Sequence, residues 1–218
     1  MIQLDNTVEK FKKIILEELA EEGIICWIAG GSVRDHFMGL AEANTDYDLF
    51  FPNETEFDSA LDYFRNLDGV QIKWESNNGV KLVYNNRTFD LVKKFFNNPQ
   101  ETIDAFDFTV SMFAVDMNKV YWGESSFIDL AKRQLMINKI TYAASSLSRA
   151  FRYMKKGFSI CKEETAKLFF AIQDEALVEE NSMKEKISFN ELLEVRKQRR
   201  EEMFFNNNLS GDLFRGID

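Results

Sequence analysis

Two aspartates one residue apart, Asp46 and Asp48, stand inside the apolar stretch TDYDLFF at 45–51. In a strand, residues i and i+2 point to one face. The two carboxylates therefore project together, while Tyr47 and Leu49 face the other way. Ionised carboxylates side by side repel each other unless a cation lies between them. Magnesium prefers carboxylate oxygens combined with substrate phosphate oxygens, and paired ions can clamp the attacking and leaving oxygens of an in-line phosphoryl displacement. The flanking Leu49, Phe50 and Phe51 mark this strand as largely buried, where an acid pair without a counter-charge is costly. A third acid, Asp90, lies in the apolar stretch TFDLV at 88–92. If that strand pairs beside 46–51, Asp46, Asp48 and Asp90 converge as a candidate catalytic and metal-holding set. A salt bridge from Asp90 to a nearby Lys or Arg is the other reading.

The short apolar run 24–29 leads into Gly30, Gly31 and Ser32, and Val33–Met38 has the pattern of a helix start. Strand–Gly-Gly-Ser–helix suits an anion: glycines admit a phosphate close to the backbone, and the first amides of a helix point at it. Ser32 adds a hydroxyl donor and Arg34 a charged fork. For the two glycines alone, a tight turn is the plainer reading. The pattern is neither G-x-G-x-x-G nor a Walker loop, so dinucleotide and P-loop chemistry fit poorly. Arg149, Arg152 and Lys156 fall at i, i+3 and i+7, one helix face, which makes a phosphate stripe or a solvated basic face. His36, the single histidine, has no partner set for Ser–His–Asp or Cys–His chemistry, so it reads as a packing or surface residue. Trp27, Trp74 and Trp122 read as core.

The elements that must position these residues follow from periodicity. Residues 7–22 form an amphipathic helix ended by Gly23, and 54–66 form a second clear helix. Strands are expected at 24–29, 46–51, 70–76, 81–86, 88–96 and around KVYWG. PQET at 99–102 opens a helix. Residues 106–116 alternate ambiguously between strand and helix. Beyond about 129 the strand signals fade, and helices are expected at 129–135, 143–156, 163–173 and 188–205, the last with a capping box of Ser188 and Glu191. The fold class is thus mixed α/β (α+β): a small mixed sheet flanked by helices, then an all-helical C-terminal part. The expected division is 1–136 and 137–218.

A chain of 218 residues can bury a substantial core. Its net charge of −9 gives no overall pull toward nucleic acid, so any such contact must come from local basic clusters. Cys26 and Cys161 sit in apolar surroundings and lack metal-thiolate spacing, so two buried reduced thiols in a cytoplasmic chain are expected. No apolar run approaches the ~18–20 residues of a membrane span, and the N-terminus has no signal-peptide layout. EVRKQRREE at 194–202 reads as a solvated helix face, and the last residues as a loose tail.

Together, GGSVRD at 30–35 and TDYDLF at 45–50 resemble the glycine–arginine motif and D-x-D of the class II CCA-adding enzyme and bacterial poly(A) polymerase family. DFTVSMFAVD at 107–116 is similar to that family's motif shaping the nucleotide pocket. FIDLAKRQL at 127–135 and RAFRYMKKGFSI at 149–160 are similar to the stretch whose arginines hold the triphosphate. The resemblance covers roughly 24–160. It implies a nucleotidyltransferase (polymerase-beta-like) fold and magnesium-dependent transfer of a nucleoside monophosphate from an NTP, ATP or CTP, to an RNA 3′ end, tRNA first. It implies two magnesium ions on Asp46, Asp48 and Asp90. It places Gly30, Gly31, Ser32, Arg34, Asp107, Arg149 and Arg152 around the nucleotide. Phe106 stands where the family has an arginine, Ser111 where it has an asparagine, and AASSLS where its base-reading motif belongs. A long RNA would be held differently here, or with a protein partner in place of the family's RNA-binding body. The alternatives are transfer to a protein or small molecule, and nucleotide binding without turnover.

Overall fold

The computed structural model describes residues 4–40 and 45–183. The expected helix at 188–205, its capping box, the basic run at 194–202 and the tail lie outside the described residues. The chain divides into two units, Met1–Phe169 and Phe170–Asp218. The described part of the second is the continuation of the last helix.

The N-terminal helical stretch is α1 (Leu4–Phe11), a π-type stretch over Lys12–Leu16, and α2 (Glu17–Glu21). It buries Phe11, Ile15, Leu16 and Leu19. There follow β1 (Trp27–Ala29), α3 (Gly31–Phe37), β2 (Asp46–Phe50), α4 (Glu54–Asn66), β3 (Gln71–Ser76), β4 (Gly79–Tyr84) and β5 (Arg87–Val92). Next come α5 (Pro99–Asp104), a 3-10 turn at Thr109–Ser111, β6 (Phe113–Val115), β7 (Val120–Trp122), α6 (Ser126–Lys132) and β8 (Gln134–Leu135). The last described elements are α7 (Ala143–Lys155), β9 (Ser159–Ile160) and α8 (Lys162–Met183). Asparagine side chains cap two of the helices: Asn53 accepts from the Glu56 amide and Asn98 from the Glu101 amide.

β1–β7 form one mixed sheet in the order β3-β4-β5-β2-β1-β6-β7, with β2 and β5 parallel and the other neighbours antiparallel. One face carries the main core, in which Phe11, Ile28, Val33, Leu49, Phe64, Leu82, Phe89, Leu91 and Phe113 pack together. The other face carries a smaller buried apolar cluster at one end, where Trp27, Ala29, Phe50 and Ala114 meet Ile103 of α5. Trp27 Nε1 donates to Thr102 Oγ1 at 2.9 Å, tying α5 to that end. This is the mixed α/β architecture, a mixed sheet flanked by helices, expected from the sequence.

Several local expectations need correction. α3 starts at Gly31 rather than Val33, because only Gly30 needs a positive φ, of 87°. Residues 106–116 resolve into a 3-10 turn and a short strand. β6 is buried on both faces, which erases the alternation that reveals a strand. β5 ends at Val92, short of 96. The helix expected at 129–135 spans Ser126–Lys132 and stops at Arg133, which has a left-handed φ of 51°. The later part is not all-helical: β8 and β9 pair in parallel, each two residues long and too short to show a period. Trp74 and Trp122 are exposed rather than core. Cys26 is buried, and burial near Glu56 pushes its thiol up to about 12, but Cys161 is only half-buried. No described helix is long and apolar enough to cross a membrane.

Candidate functional site

The pairing register builds the site. One cross-strand row runs Trp74–Lys81–Asp90–Asp48–Ala29–Ala114–Tyr121 through all seven strands. Residues in one row share a face of the sheet. Alanines fill the end of the row that α5 covers, and charged side chains fill the end left open. Asp46 stands on the same face two residues before Asp48, while Tyr47 and Leu49 are buried in the core beneath. The parallel pairing of β2 with β5 meets the condition left open by the sequence and brings Asp46, Asp48 and Asp90 to one surface. Asp46 is not buried, however: its side chain is 48% exposed, because it is the first residue of β2.

Lys81 stands among these acids. It is the direct partner of Asp90 on β4, and its Nζ lies 2.9 Å from Asp46 Oδ2 and 3.2 Å from Asp90 Oδ2. Both readings of Asp90 therefore hold: it faces the other acids and it is salt-bridged. Among the described residues no group of three His, Cys, Asp or Glu side chains is set close enough to form a ready metal cluster. Among the described residues, no Lys or Arg forms an ion pair with Asp48. Burial, then the charges of Asp90 and Asp46, push its carboxyl up to about 7, against the smaller opposing pull of Lys81 and Arg34. Burial also raises Asp90. An all-oxygen anionic site that resists carrying its full charge fits a hard divalent cation such as magnesium.

The glycine turn closes against this floor. A Cβ on Gly30 would lie 3.6 Å from Asp48 Oδ2 and 3.7 Å from the Phe106 ring, so the backbone itself forms the wall there. The Gly30 amide donates to Phe113 O and is spent on the sheet rather than offered to an anion. Ser32 is buried, and its Oγ has no hydrogen-bond partner among the described residues. Arg34 is buried as well. Its guanidinium binds Asp35 at 2.6 Å and stacks on the Tyr153 ring, 5.0 Å from the centroid. That pairing meets the need of a buried cation for a partner, so Arg34 braces α7 rather than presenting an open fork.

α7 forms the opposite wall. Arg149, Arg152 and Lys156 line a cavity of about 610 Å³ together with Ser32, Arg34, Asp46, Asp48, Lys81 and Asp90. Arg149 is ion-paired to Asp107, and Lys156 reaches Asp35 at 3.5 Å. Arg152 has no ion pair among the described residues. An adjoining cavity of about 390 Å³, lined also by Gly30, Phe50, Phe106, Asp107 and Tyr142, shares Gly31, Asp48, Arg149 and Tyr153 with the first. Tyr153, on the same helix, bonds Ser111 at 2.5 Å and packs edge-on against Phe108. The result is an acidic floor on the sheet, a basic wall on a helix and a flat-sided recess beside them. It can hold a polyphosphate chain, a planar group and a cation at once.

The structure thus brings Gly30, Gly31, Ser32, Arg34, Asp46, Asp48, Asp90, Asp107, Arg149 and Arg152 around two adjoining cavities. Sequence reasoning missed Lys81 and Tyr153. Lys81 had a usable signal, since pairing KLVYNN with TFDLV in alternating register sets it opposite Asp90. Tyr153 had none. His36 is a packing residue, held between Thr7 and Lys10 and edge-on to Phe11.

The profile of a family described as Gabija anti-defense 2 family protein matches residues 3–133. No curated relative matches the chain at a significant level. Among solved structures the chain is similar to a tRNA-processing enzyme in an apo form, with TM-score 0.58 and 17% identity over 79% of this chain and 48% of that one. It is similar to a CCA-adding enzyme in complex with ATP, with TM-score 0.59 and 17% identity over 80% of this chain and 45% of that one. It is also similar to the Thermotoga maritima CCA-adding enzyme complexed with tRNA, with TM-score 0.51 and 17% identity over 77% and 41%. These likenesses carry the fold. The chain spans less than half the length of those structures.

Proposed function

The chain belongs to the Gabija anti-defense 2 family, and from that premise we propose that it is a magnesium-dependent nucleotidyltransferase. The carrying observation is the row that sets Asp48 beside Asp90, with Asp46 on the same face, opposite the basic wall of α7. The nucleobase and ribose lie in the recess beside Phe106, Asp107 and Tyr142, and the triphosphate runs along Arg149, Arg152 and Lys156. Ser32 donates its hydroxyl to a phosphate oxygen. Asp48 would hold the divalent ion, which would supply positive charge against the phosphates, with Asp46 and Asp90 on the same face. The acceptor oxygen forms its bond to the α-phosphorus, and the bond from that phosphorus to the bridging oxygen breaks. Pyrophosphate leaves with the electron pair, and the hydroxyl proton passes to a site carboxylate and on to solvent. Alignment and charge neutralisation carry most of such a transfer.

An RNA 3′ end, tRNA first, is the acceptor suggested by the sequence motifs and by the tRNA-bound neighbour. The family description favours a second reading, in which the acceptor hydroxyl belongs to a component of the Gabija defence. The deciding experiment incubates the protein with magnesium, each α-labelled NTP, and either total RNA or Gabija proteins. Label is expected in one acceptor, and none with the Asp46→Ala/Asp48→Ala double variant. Label independent of both aspartates would end the mechanism; nucleotide binding without transfer to any acceptor would make this a binding protein. Arg152→Ala is expected to raise the KM for the NTP about tenfold, with a smaller effect on kcat, because its charge is offered to the ground-state triphosphate. An unchanged KM in steady-state kinetics would remove Arg152 from the phosphate wall.

A further inference from the structure

The open end of the row holds a positive charge of its own. Lys81 is fixed there by the backbone: its strand position is the direct partner of Asp90, one strand further from Asp48. Its ammonium bridges one oxygen of Asp46 and one of Asp90, at 2.9 and 3.2 Å. A metal ion shared by Asp46 and Asp90 would need that same space. Charge counting points the same way. Three carboxylates and one ammonium leave two negative charges, which a single divalent ion cancels. A second ion would leave the floor positive before any phosphate arrived, or would drive the ammonium toward a wall already lined by Arg149, Arg152 and Lys156. Like charges brought that close repel strongly at a half-buried site.

We propose that Lys81 is a built-in second cation, holding Asp46 and Asp90 in place of one metal ion, so that the site takes a single divalent ion at Asp48. This deepens the nucleotidyltransferase reading above and rests on it. It departs from the two-ion site expected from the sequence. Lys81 is a positioning residue: it fixes the geometry of the two carboxylates while the metal serves the third. The lysine's charge does not depend on metal supply, so the acidic floor stays assembled without any ion.

The test is a calorimetric titration of the full chain with Mn²⁺, with a non-hydrolysable NTP analogue present. The wild type is expected to bind one ion per chain. Lys81→Met is expected to bind two, or to bind the first at least about tenfold more tightly, since a competing charge has gone. Lys81→Arg, which keeps the charge, should stay at one ion. Two ions on the wild type would overturn the role of Lys81 and leave the transferase reading standing. Stoichiometry and affinity unchanged in Lys81→Met would do the same. No Mn²⁺ bound by any of the three proteins would overturn the transferase reading and this inference together. Two ions on the wild type would overturn the role even if Lys81→Met fails to fold, and Lys81→Gln, which also removes the charge, then replaces it in the comparison.

Discussion

Asp48→Asn is expected to slow nucleotidyl transfer by roughly a hundred- to a thousandfold and, at pH 8, to make the protein more heat-stable than the wild type by several degrees. The loss of transfer follows from removing the carboxylate at the centre of the row. The gain in stability follows from the electrostatics of the same atom. Burial, Asp90 and Asp46 together push the Asp48 carboxyl from its ordinary 3.8 to about 7. The folded state thus holds the Asp48 proton more tightly than the unfolded state does. Below about pH 4 both states carry the proton, and the site costs nothing. As pH rises from there toward 7, the unfolded chain ionises freely while the folded chain resists, so stability is progressively lost. Above about 7 the full penalty is present. An uncharged asparagine of the same shape escapes it. The melting-temperature difference between Asp48→Asn and the wild type should therefore be larger at pH 8 than at pH 5. Thermal denaturation at the two values checks this. A difference independent of pH would mean that Asp48 is not held against its neighbours' charge. Saturating magnesium should narrow the gap at pH 8 by stabilising the wild type alone.

Gly79→Ala should cost about 3 kcal/mol or more of folding stability, or about 10 °C in a domain of this size. Gly79 has φ of 152°, and a Cβ there would fall 2.2 Å from Leu91 O, well inside contact distance. The obstacle is backbone, not a side chain that can swing away. Gly79 pairs with Ser76 on β3 and Val92 on β5, so the clash sits where three strands meet. The strand cannot escape by sliding one residue, because that slip would turn Val80 and Leu82 out of the core. It would also carry Lys81 to the wrong face. Urea unfolding measures the loss, and the site should weaken with it. A variant within 0.5 kcal/mol of the wild type would show that β4 does not approach β5 this closely.

The sequence alone determined which residues could do chemistry and on which local elements they lie. Period-two placement put Asp46 and Asp48 on one face of a buried strand, and period 3.6 put Arg149, Arg152 and Lys156 on one face of a helix. Both patterns are local, so neighbouring residues are enough to reveal them. α4 was legible to the residue because its apolar spacing is strong and Pro52 and Asn53 precede it. β6 was not, since a strand buried on both faces has no alternation, and β8 and β9 are too short to have any. Only the tertiary structure decided what each charge faces. The sequence made Arg34 a phosphate fork, but folding buried it against Asp35 and Tyr153, since an interior guanidinium must be paired where it sits. The sequence left Lys81 unremarked, but the register of β4 on β5 dropped its ammonium between two of the three acids. Charge interactions depend on separation in space, and chain spacing carries that information only where the chain is locally regular.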